Sequence, residues 1–213
     1  MDAEITAHGV SVVEVEEFFG VWQYNANSGY NRRITGETEM QITGPAAGDP
    51  LMQTTADRSG TRVRGTLNNC AGGQTPWGTM LTAEENFNQY FANRNGMAAG
   101  VNRDNMARLG TMTGASARLW ERFYDRFDQA KEPNEPNRFG WIVEFDPYDP
   151  NSVPKKRTAL GRCKHECATT VVAKNGQVAV YSGDDERFDY LYKFVTAGVY
   201  NRDNRAANMD LLD

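Results

Sequence analysis

The stretch that decides the fold is rich in glycine and ends on a pair of carboxylates. It runs Gly65-Thr66-Leu67-Asn68-Asn69-Cys70-Ala71-Gly72-Gly73-Gln74-Thr75-Pro76-Trp77-Gly78-Thr79-Met80-Leu81-Thr82-Ala83-Glu84-Glu85-Asn86. Its glycines and proline predict tight, irregular backbone, so that Cys70 would lie on a loop. The run 78–82 predicts a short buried strand with Glu84 and Glu85 at its far end. A thiolate and carboxylates would then meet at one rim, a mixture that suits a transition metal beside an ion that prefers oxygen.

The composition sets limits on the fold and on the partners. The chain has 213 residues, enough for one domain with a sizeable core. Aromatic residues at 11% and 20 glycines favour strands and turns over long helices. The net charge of −5 argues against a nucleic-acid partner. There is no apolar run of about 18 residues to span a membrane, and residues 1–4 do not resemble a signal peptide. We therefore expect the protein to bind neither nucleic acid nor a membrane.

Most of the chain has the pattern of short strands, which predicts an all-β fold. Asn175-Gly176 between two β-branched runs is a strong hairpin signal. Successive hairpins at this spacing suit the blades of a β-propeller. The predicted strands cover residues 4–14, 22–24, 40–42, 60–69, 78–82, 141–145, 169–173, 177–182 and 190–195.

A long insertion interrupts the strands. Residues 86–115 have no clean period and predict short helical pieces, whereas 115–130 predict one helix with an aromatic stripe typical of core packing. The whole insertion, 86–139, is either a functional lid or poorly ordered. The stripe consists of Leu119, Trp120, Phe123, Tyr124 and Phe127.

Carboxylates form three clusters near predicted strand ends, where functional groups often lie. They are Glu84-Glu85, Glu166 and Asp184-Asp185-Glu186. Such oxygen ligands suit calcium, magnesium or ferric iron. The alternatives are a solvated pair at Glu84-Glu85 and a turn closed by side-chain hydrogen bonds at Asp184-Asp185.

Three cysteines cannot all pair within one chain, so one is a free thiol or a ligand. Cys163 and Cys167, with His165 between them, form the pattern of half a zinc site without a second half. A disulfide or two buried thiols are the simpler alternatives. Taken alone, Cys70 fits a small buried hydrophobe and His165 a hydrogen-bonded structural histidine.

Two motifs resemble those of the PhoX-type alkaline phosphatases, a family of secreted bacterial enzymes. One is Asn-Asn-Cys-Ala-Gly-Gly-x-Thr-Pro-Trp-Gly-Thr followed by Glu-Glu-Asn, within 68–86, and the other is Lys164-His165-Glu166 followed by 181–195. Residues 7–14 and 30–35 also resemble the corresponding stretches of this family, so that the resemblance covers about residues 4–210. It implies a calcium- and iron-dependent phosphomonoesterase on a closed β-propeller, exported to the periplasm or the cell exterior.

The resemblance also implies roles for particular residues. Ca²⁺ and Fe³⁺ would bind a small phosphate ester, neutralise charge on its oxygens and supply an oxygen nucleophile. Cys70 and Glu166 match iron ligands, and these two together with Glu85 would be catalytic. The implied metal ligands are Cys70, Glu84, Glu85, Glu166, Asp184 and Asp185.

The chain also departs from the family pattern. Cys163 and Cys167 stand where the family commonly has an apolar residue and a glycine, and Met80 and Ala83 replace residues that are often Trp and Cys. The family has further site residues beyond position 213. We therefore expect a single partial six-bladed propeller domain over 1–213 with an incomplete metal cluster. The alternatives are a non-catalytic scaffold and a calcium-dependent lactone or ester hydrolase.

Overall fold

In the computed structural model, which describes residues 2–213, the protein consists of short β-strands, turns, loops and a few short helices. The two α-helices are α1 (Asp2–Ala7) and α2 (Val101–Arg108). The strands are β1 (Val10–Val12), β2 (Val15–Phe18), β3 (Val21–Tyr24), β4 (Arg32–Ile34), β5 (Glu39–Thr43), β6 (Arg62–Arg64), β7 (Asn69–Gln74), β8 (Met80–Glu84), β9 (Ile142–Phe145), β10 (Lys155–Arg157), β11 (Thr169–Val172), β12 (Gln177–Gly183) and β13 (Leu191–Val199).

The largest sheet has the strand order β6-β5-β10-β9-β8-β7. Its pairs are antiparallel except β10 with β5, which is parallel. A second, antiparallel sheet has the order β11-β12-β13, and two hairpin-like pairs, β1-β4 and β2-β3, complete the set. The all-β prediction is confirmed. Among residues 2–213 the sheets remain open, without closure into a barrel or propeller.

The two faces of the large sheet bury different side chains, as the alternation along a strand requires. Val143 and Phe145 pack into an aromatic core beneath the insertion. Ile142, which precedes Val143 and points to the opposite face, packs into a second core with Val178 and Val180 of β12. The large sheet therefore lies between the insertion and the three-stranded sheet.

The insertion is ordered, and its aromatic side chains form the centre of the first core. As predicted, residues 86–115 hold short helical pieces, including α2 and a 3₁₀ turn at Phe87–Tyr90. The helix predicted over 115–130 is wrong, because left-handed backbone at Leu119 (φ 59°) and extended backbone at Tyr124 leave only two 3₁₀ turns. Packing of Trp120 and Phe127 into the core outweighs the local periodicity.

Three other predictions need correction. Residues 4–7 of the strand predicted at 4–14 belong to α1, and only Val10–Val12 is a strand in the first part of that range. Cys70 lies in β7, not on a loop, beside an irregularity in the pairing with β8. Glycine permits close backbone contact on both sides of β7: a Cβ on Gly72 would lie 1.9 Å from the Leu81 carbonyl oxygen, and one on Gly73 2.0 Å from that of Ala168. The predicted strand 60–69 extends only over β6.

None of the helices among residues 2–213 has the length and apolar character needed to cross a membrane.

We expect Gly73→Ala to lower the free energy of unfolding by about 2–3 kcal/mol, because the added methyl group would force β7 away from residue 168. Gly114→Ala is the matched control, since a Cβ there meets open space. The control should leave stability unchanged or raise it by up to about 1 kcal/mol. Chemical denaturation measures both, and equal stability of the two variants would contradict the close approach.

Candidate metal centre

The two glutamates that end β8 have opposite environments. Glu84 is completely buried. One of its carboxylate oxygens accepts hydrogen bonds from the Thr66 hydroxyl (2.8 Å), the Leu67 amide (3.2 Å) and the Lys156 ammonium group (2.8 Å). The other accepts from the amides of Gly140 (2.9 Å) and Trp141 (3.1 Å). The structure therefore corrects the sequence prediction for Glu84, because protein donors already occupy both oxygens.

Glu85, one residue further on, lies with two carboxylates from other parts of the chain. Glu85, Glu166 and Asp185 each offer an oxygen, and these oxygens all lie within 4.8 Å of one another. The amide of Glu166 donates to the carbonyl of Gly183, and the amide of Asp185 donates to that of Lys164, both at 3.1 Å. This backbone pairing places Glu166 and Asp185 together.

The electrostatics of the cluster favour a cation. Burial and the nearby Asp185 raise the pKa of Glu85. Within the described chain, none of the three carboxylates takes part in an ion pair with a Lys, Arg or His side chain. Glu85 is half-buried and Glu166 and Asp185 are exposed, and carboxylate oxygens are the donors that hard metal ions prefer.

Cys70 adds a soft donor beside the carboxylates. Loss of hydration at the thiol, together with the negative charges of Glu85 and Glu166, raises the pKa of Cys70. This shift favours the thiol over the thiolate in the metal-free protein, and binding of a metal ion would have to displace the thiol proton.

Asp184 has a different position from its neighbour Asp185. One of its carboxylate oxygens accepts from the amides of Lys164 (3.2 Å) and Glu186 (3.1 Å), so that it closes the turn. It is not part of the group of converging oxygens. The Asx-turn alternative thus describes Asp184. Of the six implied ligands the structure brings together the oxygens of Glu85, Glu166 and Asp185, with the Cys70 thiol beside Glu85.

Comparison with known proteins identifies the family. The family model for alkaline phosphatase PhoX matches residues 1–213. The chain belongs to the alkaline phosphatase PhoX family. It is also similar to a solved structure of Pseudomonas fluorescens PhoX in complex with vanadate, a transition state analogue, with 50% sequence identity and a TM-score of 0.91 over 96% of this chain. The chain spans 35% of the length of that PhoX chain. A search of curated proteins found no match.

In this PhoX-family chain the other two cysteines do not form a disulfide, and all three are free thiols. Cys163 is buried 3.3 Å from Nδ1 of His165, and burial raises its pKa to about 12. His165 is held between the Ser182 hydroxyl at 2.7 Å and the Gly161 carbonyl at 3.0 Å. Burial lowers the pKa of His165, which favours the neutral ring of the structural alternative.

Sequence reasoning gave no role to Asn86, whose side-chain amide donates to Glu85 at 2.7 Å. Its position directly after Glu84-Glu85 is the feature of the sequence that could have indicated this contact.

In metal-free protein, Glu84→Gln should lower the free energy of unfolding by about 3–5 kcal/mol, because it leaves the buried Lys156 charge without its partner. Glu85→Gln is the matched variant and should leave stability unchanged or raise it slightly, since it removes a like charge from the cluster. Denaturant titration in the presence of a chelator measures both. A Glu84→Gln variant as stable as Glu85→Gln would contradict the separate roles assigned to the two residues.

Proposed function

We propose that this protein hydrolyses phosphate monoesters, by itself or as part of a longer enzyme, with metal ions held by Cys70, Glu85, Glu166 and Asp185. The observation that carries the proposal is the convergence of three carboxylates without a counter-ion beside a cysteine. Family membership and the similarity to a PhoX structure that holds a transition state analogue support the reaction class.

The donor set fits the two kinds of ion in the proposal. Carboxylate oxygens suit Ca²⁺, and a thiolate with carboxylates suits Fe³⁺. When bound, the ions would supply positive charge for phosphate oxygens and lower the pKa of an attacking water. The chain's own contribution is to fix the donors on paired backbone segments.

The cluster described here offers fewer donors than two kinds of ion require. Ca²⁺ alone takes about six to eight oxygen ligands. We therefore propose that water, substrate and further segments of a longer protein complete the coordination. The fold proposal is consistent with this: residues 1–213 form one partial domain of a six-bladed β-propeller, with the insertion at 86–139.

The proposed location is the periplasm or the cell exterior, as for the family. The proposed substrates are small phosphate esters, because metal ions held by the cluster would attract a phosphate group, whereas the net charge of −5 would repel a large anion such as nucleic acid.

Elemental analysis together with turnover of p-nitrophenyl phosphate in the presence of calcium tests the proposal. Cys70→Ala and Glu166→Gln should remove iron and lower activity by more than about 100-fold, beyond what loss of an outer-shell contact costs. Cys167→Ala is the matched control, because that thiol faces the Tyr181 carbonyl. Metal-free, inactive wild-type protein would instead support a non-catalytic scaffold.

Removal of metal should also change stability. A cation that binds only the folded protein adds about 2.7 kcal/mol when its concentration is 100 times its dissociation constant. We expect calcium to raise the unfolding temperature of the wild-type protein and to have little effect on Asp185→Asn. A calcium-induced shift of equal size in the two proteins would rule out Asp185 as a ligand.

A further inference from the structure

A series of hydrogen bonds connects the candidate ligand Glu85 with His8 and Glu4 near the N-terminus. The side-chain amide of Asn86 donates to a carboxylate oxygen of Glu85 at 2.7 Å. The backbone amides of these two residues both donate to Asn68: that of Glu85 to the Asn68 carbonyl at 3.1 Å and that of Asn86 to its side-chain oxygen at 3.2 Å. Asn68 thus holds the backbone that carries Glu85.

The backbone of Asn68 is suited to this double contact. Its φ of 52° lies in the left-handed region, which few residues other than glycine and asparagine adopt readily. Asn68 is also two residues before Cys70, so that the same short segment carries the candidate thiol ligand and fixes the candidate carboxylate ligand.

The far side of Asn68 is anchored in the core. Its side-chain nitrogen donates to the hydroxyl of Tyr90 at 3.0 Å, and Tyr90 is completely buried. That hydroxyl lies 2.8 Å from Nε2 of His8, whose Nδ1 lies 2.8 Å from the Glu4 carbonyl. One assignment satisfies every partner: Tyr90 donates to Nε2, and a neutral His8 donates from Nδ1.

We propose that Asn86 and Asn68 are positioning residues that hold Glu85 ready for a metal ion, an inference that rests on the proposed function. Asn86, as a donor to the Glu85 carboxylate, and Asn68, as an acceptor from the backbone amides of Glu85 and Asn86, would together orient that carboxylate before the cation arrives, which is the work of an outer coordination shell. The hydrogen bond from Asn86 restricts the Glu85 side chain, and the two bonds to Asn68 restrict its backbone. Neither asparagine touches the metal in this proposal.

The test is the affinity of the purified protein for calcium, with terbium luminescence as a second probe. Asn86→Ala should raise the dissociation constant about 10- to 100-fold, the usual effect of removing an outer-shell partner. Asn68→Gly keeps the left-handed backbone accessible while it removes the side chain, and it should weaken binding in the same direction. Asn95→Ala, at an exposed asparagine, is the control and should bind like the wild type.

Thermal unfolding of the metal-free variants separates positioning from a merely structural role. If Asn86 only stabilised the fold, Asn86→Ala would unfold at a lower temperature and yet bind calcium with unchanged affinity while folded, which would overturn the inference. Asn68→Gly decides the question in the same way if Asn86→Ala does not fold. Wild-type protein that binds neither ion would overturn the proposed metal function as well, whereas binding that both asparagine variants retain would overturn the positioning role alone.

Discussion

The buried contact between Glu84 and Lys156 is the constraint on which the rest of the structure depends. Both side chains are fully buried, and their charged groups lie 2.8 Å apart. Burial lowers the pKa of Lys156 to about 8, while the charge of Glu84 opposes that change. Lys156 also donates to the Arg138 carbonyl at 2.9 Å and lies 3.8 Å from the centre of the Phe139 ring. Since removing charges from water is costly, this pair is tolerated only because every partner is in place.

The same pair fixes the geometry at the edge of the sheet. Glu84 binds the backbone of Leu67 on one side and of Gly140 and Trp141 on the other. It thereby ties the segment that enters β7 to the segment that enters β9. Because successive side chains along a strand alternate between its faces, Glu85 is directed away from the buried site. One glutamate holds the framework while its neighbour faces the other candidate ligands.

Different parts of this arrangement were accessible from the sequence to different degrees. The hairpin at Asn175-Gly176 was predictable because its turn chemistry is local, and the strands on either side pair as expected. The helix over 115–130 was not, because the burial of Trp120 and Phe127 depends on a core that local periodicity does not describe. The role of Glu84 was also hidden, since Lys156 is far from it in sequence and nothing local shows that the two meet. The family resemblance named the stretches that carry these residues, but only the fold separated Glu84 from Glu85 and Asp184 from Asp185.

In this protein, carboxylates that pair with a basic side chain lie next to carboxylates that have no such partner. This difference is the strongest physical argument for a bound cation. Glu144, like Glu84, is buried with a basic partner, since Arg157 donates to it at 2.7 Å. The chain therefore supplies a basic partner to each of these two carboxylates of the large sheet, even at the cost of burying that partner. It supplies none to Glu85, Glu166 and Asp185, although their oxygens converge within 4.8 Å. Charges that repel one another in a folded protein reduce its stability unless something else offsets them. A bound metal ion would provide that compensation, and the lack of a basic partner leaves room for it.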